Sequence, residues 1–140
     1  MRYIAIFIAI SIVLWAGNFA YMFWLRPIDQ PTQELRELEA HFNGLGVHGH
    51  IYPVRHGFSH SRVRAVAAFE IKDYPLPFGL VAYSNEQEAI ARSAPNPELP
   101  QELQPSRNGK VVLDFIAWGD DTFPVAQSVR QAFLSYRSEP

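Results

Sequence analysis

The chain has 140 residues, 48% of them hydrophobic, and contains no cysteine. That length suits one domain, and the missing cysteine excludes disulfides, thiolate metal sites, cysteine nucleophiles and lipid attachment at a cysteine. The formal charge is −2, and once Arg2 and Arg26 are set aside ten basic residues remain against fourteen acidic ones, a balance that argues against general nucleic-acid binding.

Tyr3 to Leu25 carries no charged residue and is bracketed by Arg2 and Arg26. A helix over these residues would cross a hydrocarbon layer of ~30 Å. Tyr3, Trp15, Tyr21 and Trp24 put aromatic rings near both ends, where amphipathic rings prefer to sit. A cleaved signal peptide fits less well. The apolar run continues through Met22, Phe23, Trp24 and Leu25, and the best small-residue cleavage candidate, Asn18-Phe19-Ala20, has a poor first residue. The expectation is a transmembrane signal anchor over residues 1–26, a linker over 27–31 and a soluble domain over 32–140. A short N-terminal tail usually stays inside, so the domain is expected outside the cytoplasm, on an inner or plasma membrane such as that facing the periplasm. Ala5, Ala9, Ala16 and Ala20 fall on one helical stripe that would allow close association with another helix; alanine is equally common in such helices without that role.

Beyond the linker, Thr32 is placed to cap a helix whose Leu35, Leu38, Phe42 and Leu45 share a face, ended by Asn43-Gly44 and Gly46. Residues 47–54 alternate as a strand. In 62–72, Val63, Ala65, Ala67, Phe69 and Ile71 take one face and Arg62, Arg64, Val66, Ala68, Glu70 and Lys72 the other. Phe78 to Tyr83 is a third strand. Ser84 with Gln87 and Asn85 with Glu88 are overlapping capping boxes for a short helix ending by Ser93. Residues 94–108, with Pro95, Pro97, Pro100 and Pro105, read as an irregular connection that is either functional or wrapped over the surface. Asn108-Gly109 is a turn. Val111 to Trp118 is an apolar central strand, and Val125, Val129, Ala132, Phe133 and Tyr136 stripe a last helix. The fold class is α+β: after the anchor, a small sandwich of a mostly antiparallel four-stranded sheet with helices on one face, in the order α-β-β-β-α-β-α.

His48, His50, His56 and His60 lie within thirteen residues. His48 and His50 share a strand face, and the loop carrying His56 and His60 would have to fold back for three imidazoles to hold zinc or copper. Arg55, Arg62 and Arg64 beside them oppose a cation, so Arg55, His56, His60, Arg62 and Arg64 read equally as an anion or partner patch, or as a solvated hairpin tip. Asp114 interrupts an apolar run and is a candidate acid or base with a raised pKa. Asp120 and Asp121 precede a helix, where capping suffices to explain them. No G-x-S-x-G elbow and no phosphate-binding glycine loop is present. These features favour a non-enzymatic interaction or scaffold domain, accessory to a larger envelope complex with an unidentified membrane or envelope protein as partner. A histidine-based metal-binding or pH-sensing module is the alternative, and an enzyme using Asp114 or Asp120 and Asp121 the third reading.

Overall fold

The computed structural model describes residues 2–21, 24, 28, 30–57, 61–114 and 123–136. In chain order the elements are α1 (Arg2–Ala20), α2 (Gln33–Gly44), β1 (Gly49–Pro53), β2 (Val63–Ile71), β3 (Phe78–Tyr83), α3 (Glu86–Arg92), a single 3₁₀ turn (Gln101–Leu103), β4 (Ser106–Asn108), β5 (Val111–Asp114) and α4 (Phe123–Ser135).

Among the described residues no helix is long and apolar enough to cross a membrane, which overturns the transmembrane signal anchor expected over residues 1–26. A run without charge is needed for such a span but does not fix where the helix stops. Here α1 covers 19 residues, Arg2 among them, from Arg2 to Ala20; residues 22, 23 and 25 of the apolar run lie outside the described residues. Trp15 stacks on Phe19 with ring centroids 5.7 Å apart. Of the small-residue stripe, Ala16 is exposed and Ala20 half-buried; the side chains of Ala5 and Ala9 lie outside the described residues.

The sheet has five strands rather than four, in the order β1-β2-β3-β5-β4, and every neighbouring pair is antiparallel. The additional strand, β4, lies in the segment expected to be irregular. Its three residues directly follow Pro105, and Gly109-Lys110 turns it back onto β5, with Gly109 at φ 55°. The rest of the Pro-rich connection folds into an ordered loop. Gln104 Nε2 donates to the carbonyls of Asn96 and Leu99 at 2.6 and 2.7 Å, and its Oε1 accepts from the Asn96 amide at 2.7 Å.

Helices cover both faces of the sheet, not one. On the first face, Leu35, Leu38 and Phe42 of α2 and Ala126, Val129 and Phe133 of α4 meet Ile51, Ala65, Ala67, Phe69, Phe78, Leu80, Val111 and Leu113. Of the expected α4 stripe, Val129, Ala132, Phe133 and Tyr136 are buried, while Val125 is exposed and Ala126 takes its place. Phe115, also expected in the core, lies outside the described residues. On the second face, Ala89 of α3 packs with Val63, Tyr83 and Val112.

Val63 reaches this second face because the β2–β3 register shifts between Val63 and Ala65. A bulge places one extra residue in the strand, so everything before it changes face. Simple alternation therefore misplaced Val63.

Both sheet edges are managed. In β1 the amide of Gly49 donates to Asn43 Oδ1 at 3.2 Å, and Asn43 Nδ2 returns a bond to the Gly49 carbonyl at 3.1 Å. The Ile51 amide donates to the Glu39 carboxylate, and Pro53 has no amide to offer. Side chains of α2 thus occupy the outer donors of β1, which removes the template for strand addition. At the other edge, Asn108 Nδ2 donates to the carbonyls of Phe133 and Tyr136 at 2.7 and 2.5 Å. The Phe133 carbonyl lies in the last turn of α4, where it also accepts from the Tyr136 amide at 3.2 Å, and Tyr136 directly follows the helix. Replacing Asn108 by Ala is expected to lower stability by about 1–2 kcal/mol, read from urea denaturation; an unchanged midpoint would show that the cap contributes nothing.

Candidate functional site

The second face carries a cavity of about 570 Å³. Its floor comes from three adjacent strands. Val63 lies opposite Tyr83, Val81 opposite Val112, and Gly79 opposite Asp114. The three valines line the cavity together with Tyr83 and Asp114. α3 forms one wall, and its capping explains its position: Asn85 accepts from the Glu88 amide at 2.9 Å through Oδ1. The buried Ala89 seats the helix on the sheet, and Glu88 and Arg92, one turn apart, both line the cavity. Gly57, Ser61 and Arg62 of the β1–β2 connection close the remaining side.

The cavity therefore has an apolar floor and four ionic side chains, two of each sign. Among the described residues, the side chains of Arg62, Glu88, Arg92 and Asp114 and the hydroxyl of Tyr83 make no hydrogen bond or ion pair. Opposite charges on the same small cavity thus stay apart instead of neutralising one another. Arg62 and Asp114 mark opposite ends. Arg62 adjoins the Val63–Tyr83 pair and Asp114 pairs with Gly79; the four steps from Tyr83 to Gly79 span about 13 Å along β3, and the two residues also stand on opposite sides of β3, roughly 10 Å across the sheet.

The electrostatics centre on Tyr83. Burial raises its pKa; the Arg92 guanidinium acts against that, and Asp114 and Glu88 raise it further. Loss of hydration in the cavity raises the pKa of Asp114. The side chain is still exposed at the rim, so water screens the effect and the carboxyl is biased toward its neutral form without being locked in it. The sign for stability follows. A carboxyl that binds its proton more tightly in the folded chain makes the fold less stable as pH rises from the ordinary carboxylate value through the raised one. Asp114→Asn is therefore expected to flatten that pH dependence and to leave stability at neutral pH equal or higher. Urea midpoints measured from pH 3 to 7 check this, and a loss of stability at pH 7 in the variant would contradict it.

The histidines do not assemble. His48 and His50 are exposed, and His50 Nδ1 lies 3.1 Å from Glu39 Oε2, which ties it to α2. His56 is buried, 8% exposed, and is already engaged in interactions of its own. His60 lies outside the described residues. Among the described residues no group of three His, Cys, Asp or Glu side chains could hold a metal ion. Of the basic patch, Arg62 lines the cavity and Arg55 and Arg64 do not; all three are exposed. Asp120 and Asp121 lie outside the described residues. Asp114 is thus the sequence candidate that the fold joins with Arg62.

Sequence reasoning missed Tyr83, Glu88 and Arg92. The available signal was the i, i+4 spacing of Glu88 and Arg92, which alone reads as a solvated helix pair. Compared with protein-family models, curated proteins and solved structures, the chain has no significant match to any of them.

Proposed function

We propose that the domain is a ligand-binding module and that the cavity between α3 and the sheet is its binding site. The observation that carries this reading is the ionic set around an apolar floor, unpaired among the described residues. Small-molecule sites are concave, largely apolar and fitted with a few polar groups, in volumes of roughly 300–1,000 Å³. Arg62, Arg92 and Asp114 are exposed and Glu88 is half-buried, so their charges are open to a ligand, and a donor bound at Asp114 would offset the hydration its carboxyl loses. The reading keeps the interaction role expected from the sequence and moves its centre from the hairpin tip to the cavity between α3 and the sheet, which Arg62 of that hairpin also lines.

A thermal-shift screen of the full chain against small polar and amphiphilic molecules tests it. A ligand at about 100 times its Kd adds about 2.7 kcal/mol to stability. Val81→Phe, which fills the floor, is expected to abolish those shifts. Shifts unaffected by Val81→Phe, or none at all, would remove the cavity as a binding site.

Acid–base catalysis at Asp114 is a second reading, favoured by the raised pKa of its carboxyl beside the Tyr83 phenol. Binding leads because Asp114 is exposed and because, among the described residues, neither its carboxyl nor the Tyr83 hydroxyl has the oriented partner that a catalytic acid or base uses. A bound ligand recovered chemically unchanged after prolonged incubation supports binding; a product would establish catalysis.

A further inference from the structure

We infer that the ligand of this cavity is a short peptide of two or three apolar residues with both termini free. This rests on the cavity being a binding site and adds the chemistry of its occupant. Three features select that chemistry. The first is charge balance: Arg62 and Arg92 supply two positive charges, Glu88 and Asp114 two negative ones. A simple anion would face two carboxylates and a simple cation two guanidiniums; a zwitterion satisfies both sets. The second is polarity along the floor. Arg62 stands at the Val63–Tyr83 end and Asp114 at the Gly79 end, about 13 Å apart along the strand.

The third is reach. The two backbone positions are about 13 Å apart along the strand and roughly 10 Å apart across it, on either side of β3; the long Arg side chain and the shorter Asp take up much of that distance, so the ligand's charges must be closer together than the backbone positions. A single amino acid holds its two charges too close together. Two or three residues at about 3.3–3.6 Å each bring an ammonium to Asp114 and a carboxylate to Arg62 at once. Between the ends, Val63, Val81 and Val112 present apolar surface to the peptide's side chains. The guanidinium of Arg62 matches a terminal carboxylate with two parallel donors. Asp114 accepts from the terminal ammonium. The opposite sheet edge at β1 is closed by Asn43 and Glu39, so a peptide captured by this domain is held through its termini and side chains rather than as an added strand.

Calorimetric titration of the full chain with Leu-Val-Leu, its N-acetylated form and its C-terminal amide tests the inference. The free tripeptide is expected to bind, and each blocking group to weaken binding about tenfold, the size of one charge-assisted contact. Arg62→Gln should reproduce the effect of the amide and Asp114→Asn that of the acetyl group. Combining each variant with its matching blocked peptide should add no further loss. Blocked peptides that bind as tightly as the free one would overturn the inference. So would hexanoate or hexylamine binding in a Val81→Phe-sensitive manner while the tripeptide does not, an outcome that leaves the cavity a binding site. If none of these probes binds, the peptide inference falls, and the thermal-shift screen alone decides whether the cavity is a binding site.

Discussion

Phe69→Ala is expected to destabilise the domain by about 3–5 kcal/mol, the usual cost of emptying a buried phenylalanine site. Phe69 is fully buried on the first face of the sheet. Its ring lies 4.6 Å from that of Phe42 on α2 and 6.5 Å from that of Phe78 on β3, so it joins the helical layer to the sheet. Its strand position pairs with Ile51 on one side and Phe78 on the other. Such a site is held by α2 and two strands and cannot collapse to refill the lost volume, which places the cost toward the upper end of that range. Urea denaturation of the full chain with an unchanged slope measures it. A loss below about 1 kcal/mol would mean that Phe69 is not central to the core.

Gly49→Ala is expected to destabilise by about 3 kcal/mol, the upper end of what overpacking normally costs. A β-carbon at Gly49 would stand 2.5 Å from the Glu70 carbonyl oxygen and 2.5 Å from a ring carbon of Phe69. The first is a paired backbone atom and the second a fully buried ring, so neither neighbour can give way cheaply. The aromatic ring covering a strand glycine takes the place of the missing side chain. Movement of Gly49 would also disturb its two bonds with Asn43, which hold α2 against the edge of β1. Because the ring is half of the clash, Gly49→Ala and Phe69→Leu should be coupled: the alanine costs less when the ring is already gone. Strict additivity of the two changes would show that the ring is not what excludes a side chain.

What the sequence reveals and what it hides follow from how local each signal is. The caps at Thr32 and Asn85 are legible because they act within three residues, and both accept the amide bond expected of them, from Leu35 and Glu88. Phe78 to Tyr83 has the predicted bounds. Periodicity also finds the buried faces, with Leu38, Phe42, Ile51, Phe69, Leu113, Val129 and Phe133 all in the core. The bulge at Val63 and Ala65 is invisible because it depends on the partner strand, and it changes the face of a residue that lines the cavity. β4 is hidden because three residues after a proline carry no period. The absence of charge from Tyr3 to Leu25 raised the expectation of a span, but it does not measure how long and apolar the described helix α1 is. Asp114 stood out by its polarity among apolar neighbours, and Arg62 by its basic surroundings, which suggested the wrong companions. Their meeting with Glu88 and Arg92 requires the β2-β3-β5 pairing and the seating of α3, contacts between residues tens of positions apart in sequence.

The most direct test of the cavity as a binding site is a two-dimensional amide NMR titration of the isotopically labelled full chain with Leu-Val-Leu. The shifts are expected to cluster on Arg62, Val63, Val81, Tyr83, Val112 and Asp114 and on the amides of α3, to saturate, and to vanish in the Val81→Phe variant. Saturable shifts confined to the β1–β2 hairpin or to α1, and unaffected by Val81→Phe, would place binding elsewhere and contradict the account.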